Sequence, residues 1–94
     1  MLDTAYVVYL LECADGTLYT GVTTDMARRL TEHNEGAKGA KYTRARRPVK
    51  VVYQETCASR SEAQKREAAL KSLPRTAKLA LCTTRSVRIR KRAR

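Results

Sequence analysis

This 94-residue chain contains neither phenylalanine nor tryptophan, and its one isoleucine is Ile89. A core must therefore be packed from Val, Leu, Ala and Tyr, medium-sized groups that have to fit tightly. No stretch approaches the roughly 20 apolar residues that span a bilayer, so no membrane-crossing helix is expected. Met1 to Thr4 show no basic segment leading into an apolar run, so no export signal is expected and the expected location is cytoplasmic. Cys13, Cys57 and Cys82 are odd in number, with neither CxxC nor Cys/His metal spacing. They fit a reducing compartment and read as small core hydrophobes. There is no internal repeat, and the length is that of one domain, expected over residues 1–84.

Negative charge is also scarce. Twenty Lys and Arg face nine Asp and Glu, a formal +11, and no acidic residue follows Glu67 while nine basic ones do. Lys38 to Lys50 holds six Lys or Arg and no carboxylate. Solubility alone usually needs a net charge of roughly 2 to 8 in magnitude, so the surplus points to a polyanionic partner, with nucleic acid first. Residues 85–94 carry six basic side chains and little to anchor them, and are expected to be a disordered tail that meets polyanions.

Ala5 to Cys13 is almost wholly apolar, the pattern of a strand covered on both faces, and Ala14-Asp15-Gly16 supplies turn chemistry. A three-residue loop with Gly16 left-handed puts Tyr9 and Tyr19 on one face of a hairpin; a two-residue Asp15-Gly16 turn puts them on opposite faces. Leu18 to Thr23 reads as the second strand, with Gly21 where a side chain would obstruct close approach. Thr24 or Asp25 can cap a helix over Met26 to Asn34, ended by Gly36, with Met26, Ala27 and Leu30 on its buried side. Arg29 and His33 lie one turn apart on it and can address one phosphate. Gly36 to Pro48 is a basic loop carrying Tyr42, and Val49 to Glu55 a third strand. Ser59 and Glu62 match a capping box that opens a helix over Arg60 to Lys71, with Glu67 on the stripe of Ala63 and Leu70. A carboxylate there needs a cation, a donor network or an edge open to solvent. A short helix over Thr76 to Leu81 follows Pro74.

These residues resemble the GIY-YIG domain, a nuclease module named for its two strand triplets, over about residues 5 to 81. Val7-Val8-Tyr9 stands in the first triplet and Tyr19-Thr20-Gly21 in the second; Arg29 and His33 follow at the family's spacing, and Glu67 takes the place of its metal-binding glutamate. Tyr19-Thr20-Gly21-Val22-Thr23-Thr24, Glu32-His33-Asn34 and Ala40-Lys41-Tyr42-Thr43-Arg44 are further words shared with its small stand-alone bacterial members. The resemblance implies an α+β fold, a three-stranded antiparallel sheet with the first strand central and helices on its flanks. The first triplet here lacks Gly and Ile, the second lacks Ile, and the late asparagine of many nuclease members is absent, Asn34 being the only Asn.

Phosphodiester hydrolysis needs an activated water, neutralisation of charge on the phosphate oxygens and help for the leaving oxygen. In the roles the resemblance implies, Glu67 holds one Mg²⁺ or Mn²⁺ through a single carboxylate. Arg29 clamps the phosphate. Tyr9 or Tyr19 orients the water and takes its proton, and His33 hydrogen-bonds a phenol or the nucleophile. Lys38, Lys41, Tyr42, Arg44, Arg46 and Arg47 are the expected nucleic-acid contacts. Each residue also has a plain structural reading. The tyrosines can be ordinary strand aromatics, His33 an exposed helical histidine, Arg29 an ion pair with Asp25 or Glu32, Glu67 a salt bridge with Lys71 or Arg66, and Tyr42 a cover for the core edge. Three functions compete: a metal-dependent endonuclease-like domain, a nucleic-acid-binding module of the same fold without effective catalysis, and a basic adaptor for an acidic protein.

Overall fold

Three apolar runs pair into one antiparallel sheet: β1 over Tyr6–Glu12, β2 over Leu18–Thr23 and β3 over Lys50–Cys57, in the order β2-β1-β3. The computed structural model describes residues 5–36 and 38–82; the basic segment 85–94 and the domain limit at residue 84 lie outside them. The central place of β1 accounts for its composition. With a neighbour on each edge and helices on both faces it has no wet side, and Val8, Tyr9, Leu10 and Leu11 are all buried. Each of these side chains contributes roughly 1.5–3 kcal/mol of burial.

The hairpin takes the three-residue loop. Cys13 N donates to Thr17 O and Gly16 N to Cys13 O, both at 2.9 Å, and Gly16 has φ +86°, the left-handed conformation that glycine enters without steric cost. Asp15 Oδ1 accepts from Thr17 N at 3.1 Å and from Thr17 Oγ1 at 2.6 Å, which stiffens the turn. The resulting register sets Tyr9 opposite Gly21 and Leu11 opposite Tyr19, so the two tyrosines share a face.

Helix α1 spans Met26–Asn34 and is capped by Asp25, whose Oδ1 accepts from Arg28 N at 3.0 Å. Its inward stripe is Met26, Leu30 and His33, packed over the Tyr9 face of the sheet with Leu11 and Cys13. Ala27, expected on that stripe, is exposed, because one residue on from Met26 the helix has turned by about 100°. Helix α2, Lys41–Arg44, is a single turn inside the basic loop, too short for its sequence period to reveal.

Helix α3 spans Arg60–Ser72 and carries the expected cap: Ser59 Oγ accepts from Glu62 N at 3.1 Å, and Glu62 Oε1 accepts from Ala58 N at 2.8 Å. It covers the opposite face of the sheet, where Ala63 and Leu70 pack on Val8 and Cys57. A last helical segment occupies 75–82. The thiols of Cys13 and Cys57 are buried in the two cores, as their reading as small hydrophobes requires, and Cys82 is half-buried. No helix among the described residues is long and apolar enough to cross a membrane.

Candidate functional site

The absence of a side chain at Gly21 creates the site. Tyr9 lies directly opposite it, and a Cβ built at Gly21 would fall on the Tyr9 hydroxyl and ring. The phenol thus crosses β2 over bare backbone and reaches helix α1, where its Oη lies 2.9 Å from His33 Nε2. Both side chains are buried, Tyr9 at 1% and His33 at 0% exposure, which rules out the reading of His33 as an exposed helical histidine. Such burial tolerates a polar ring only if it is bonded. His33 Nδ1 meets Thr43 Oγ1 at 2.7 Å, and Thr43 Oγ1 donates to Ala40 O at 3.0 Å. Burial, reinforced by Arg29 and Arg47, pulls the His33 pKa from 6.5 down to about 4. The imidazole is therefore neutral at pH 7. Burial likewise pushes the Tyr9 phenol above its usual range, against the pull of the Arg29 guanidinium beside it.

Arg29 is positioned from its own helix. Its Nη1 donates to Glu32 Oε1 and to the Lys38 carbonyl, each at 2.9 Å, which fixes the guanidinium beside the Tyr9 phenol. The ion pair with Glu32 anticipated as a plain reading is present, and it orients the group. Burial disfavours the Arg29 charge, yet Glu32 and Tyr9 outweigh it and the pKa is raised. The side chain is still about a quarter exposed (26%), so a ligand phosphate has access to it.

Tyr19, on the same face, is half-buried and sets its ring edge-on to His33 at 5.4 Å between centroids. Tyr42 stacks on Tyr19 at 5.9 Å and 23°, and the Arg46 guanidinium lies over Tyr42 at 3.9 Å. Arg46 is held by Asp15 Oδ2 at 3.0 Å and the Tyr42 carbonyl at 2.9 Å, so the hairpin tip, the basic loop and the tyrosines form one assembly. Two members of the expected nucleic-acid set are thus engaged inside the protein. Arg46 buttresses Tyr42, and Arg47 donates to the carbonyls of His33 at 2.7 Å, Gly36 at 2.8 Å and Glu32 at 3.3 Å, closing the C-terminus of α1. Lys38, Lys41, Tyr42 and Arg44 are exposed.

Glu67 comes from another helix, α3. It is half-buried and pairs with Lys71 at 3.3 Å, one of the two plain partners foreseen for it. Its charge nonetheless reaches Tyr9 and adds to the upward push on the phenol. Among the described residues no three His, Cys, Asp or Glu gather into a metal cluster. A single carboxylate, 27% exposed, is a hard-oxygen donor set that suits Mg²⁺ or Mn²⁺, cations that keep water and substrate oxygens in their other positions.

Several supports went unread in the sequence. Thr43 is fully buried against His33; Gly39 sits where a Cβ would meet the Glu32 carbonyl and His33 Cα at 2.6 and 2.9 Å. Asn34 Nδ2 donates to Val49 O at 3.0 Å and its Oδ1 accepts from Val49 N at 2.7 Å, tying α1 to the entry of β3. Asn34 and Thr43 both lie inside sequence words already singled out, Glu32-His33-Asn34 and Ala40 to Arg44, which was the available signal.

Comparison with known proteins agrees with this architecture. A profile of the GIY-YIG catalytic domain matches residues 5–80. The chain is 65% identical over 77 residues to a UPF0213 protein of Desulfotalea psychrophila, covering 82% of this chain and 70% of the relative. It is 57% identical over 79 residues to one of Streptococcus agalactiae, covering 84% and 89%. The solution NMR structure of a UPF0213 protein from Bacillus halodurans superposes with a TM-score of 0.55 at 45% identity, covering 85% of this chain and 84% of that one. The protein EF2693 from E. faecalis gives 0.57 at 45% identity, covering 86% of each. With a profile match over most of its length and relatives this similar, the chain belongs to the GIY-YIG family.

Proposed function

We propose that this protein is a metal-dependent phosphodiesterase acting on DNA or RNA. The observation that carries the reading is the bond between Tyr9 and His33 across Gly21, with the Arg29 guanidinium beside the phenol. A phenol whose proton is already directed at an imidazole can take a proton from a water on its outward side while passing its own inward. Arg29 is placed to bind the phosphate under attack and to counter the charge that grows on its oxygens. Tyr19, on the same face of the sheet, orients the water. Lys38, Lys41 and Arg44 on the exposed side of the basic loop hold the flanking backbone by charge alone. Glu67 would hold the divalent ion, which, when bound, supplies neutralisation of the phosphate and of the leaving oxygen.

A second reading has its own support. The Tyr9 ring is 1% exposed and His33, with a pKa of about 4, is a weak proton acceptor, which favours a nucleic-acid-binding module of the same fold without effective catalysis.

One panel separates the two. Purified protein is incubated with duplex, single-stranded and branched DNA and RNA in Mg²⁺, in Mn²⁺ and in chelator. The phosphodiesterase reading expects cleavage with metal only, and loss of cutting in Glu67→Ala with salt-sensitive binding retained. Cutting in chelator, or full activity in Glu67→Ala, would reject it; binding without cutting on every substrate selects the second reading.

A further inference from the structure

The chain has a single histidine, and which of its two nitrogens carries the proton decides what Tyr9 can do. The hydrogen-bond geometry bears on that question from the far end. A threonine hydroxyl has one hydrogen to give, and Thr43 Oγ1 has two partners: Ala40 O at 3.0 Å and His33 Nδ1 at 2.7 Å. A carbonyl brings no hydrogen, so the hydroxyl proton points at Ala40; otherwise two lone pairs would face each other across 3.0 Å in a part-buried contact. Nδ1 must then supply the hydrogen for the shorter contact. A neutral imidazole has only one N–H, so Nε2 is left with its lone pair, and the 2.9 Å contact to Tyr9 is a phenol O–H donating to the ring. Every buried side-chain nitrogen and oxygen among the described residues has a partner.

We propose that Thr43 is a positioning residue, whose hydroxyl, anchored on the Ala40 carbonyl by the single turn of α2, holds His33 as the Nδ1–H tautomer so that the Tyr9 phenol gives its proton inward. In water the other tautomer of histidine is the commoner one, so a specific partner is needed to invert it. The consequence lies in the phenol oxygen. With its hydrogen committed to Nε2 it presents only lone pairs on the Arg29 side, where it can accept a hydrogen. With the tautomer reversed, Nε2–H would donate to the phenol, whose own hydrogen would then point at the ligand. The value of this for turnover rests on the phosphodiesterase reading; the tautomer itself does not.

The test uses protein labelled with ¹⁵N in its one histidine, followed by long-range ¹H–¹⁵N correlation at pH 7. Wild type is expected to show a pyrrole-like Nδ1 and a pyridine-like Nε2. Thr43→Ser, which keeps the hydroxyl, retains that pattern, while Thr43→Val, of similar shape without an acceptor, moves it to Nε2–H in a protein whose backbone spectrum remains dispersed. A wild type protonated on Nε2, or an Nδ1–H ring that persists in Thr43→Val, overturns the proposal. If Thr43→Val does not fold, wild type and Thr43→Ser decide alone, and an Nε2–H ring in either overturns it. Where cleavage is measurable, Thr43→Val should lower kcat by roughly 10²-fold with KM little changed and Thr43→Ser should recover most of it. Expected spectra without cleavage on any substrate would sink the phosphodiesterase reading and leave the role of Thr43 standing.

Discussion

Replacing Gly21 with alanine probes the contact on which the site is built. The added methyl would overlap the Tyr9 hydroxyl and ring terminus, in a register where β1 is buried on both faces and cannot recede. Overpacking of this kind costs about 1–3 kcal/mol. Displacing the phenol also takes from His33 Nε2 its partner Tyr9, and an unsatisfied buried polar group costs about 1–3 kcal/mol more. Against this, alanine in a strand recovers roughly 0.5–1 kcal/mol of backbone entropy. The net expectation is a loss of about 3 kcal/mol, which for a domain of this size corresponds to a drop of about 12–24 °C in Tm. Urea denaturation followed by circular dichroism measures it, with m unchanged. Tyr9→Phe removes the atom nearest the new methyl, so Gly21→Ala with Tyr9→Phe should be less destabilised than the two single changes added together, by at least about 1 kcal/mol. A Gly21→Ala protein within about 0.5 kcal/mol of wild type, or strict additivity in the cycle, refutes the claimed contact.

Protonation of His33 gives a second prediction. Its folded pKa of about 4 lies below its ordinary 6.5, so the unfolded chain binds more protons between those values; the stability held by the neutral ring is complete above 6.5 and is lost as pH falls towards 4. The loss is about 3 kcal/mol over that window, read from urea midpoints at stepped pH, and an NMR midpoint for His33 above 6 would contradict it. Asn34→Ala should cost about 1–3 kcal/mol, because both polar groups of Val49 lose their partner, and should speed hydrogen exchange at the Val49 amide before the rest of β3. Lys41→Ala should weaken nucleic-acid binding evenly across sequences and flatten the slope of log K against log salt by about 0.7–0.9. Arg47→Met should instead lower stability by releasing the end of α1; an unchanged melting curve with a flattened salt slope would return Arg47 to the binding surface.

Much of the architecture could be read along the chain because its signals are local. The unbroken apolar run of β1 announced a strand buried on both faces, Asp25 and Ser59 marked where α1 and α3 begin, and the Lys38–Lys50 run marked the cationic loop. Turn chemistry narrowed the hairpin to two registers, and the backbone of Gly16 selected between them. Exposure was harder to read. Arg46 and Arg47 look like their neighbours Lys41 and Arg44 in a list of cations, yet they are tied to Tyr42, Asp15 and the end of α1, since a guanidinium bonds whatever carbonyls and carboxylates the fold brings within reach.

What the amino-acid order settles by itself is the set of elements, the excess of positive charge and the chemical groups available: two phenols on paired strands, an arginine and a histidine one helical turn apart, and a glycine that clears a path. Only packing decides which of these groups meet. The Tyr9, His33 and Thr43 chain joins β1, α1 and α2 across 24 and 10 residues of separation, and the charge of Glu67 on α3 is felt at Tyr9 from 58 residues further along the chain. The reason is physical: hydrophobic period and caps act over one turn or one strand, whereas a bond between side chains on different elements exists only after the faces that carry them have been buried together.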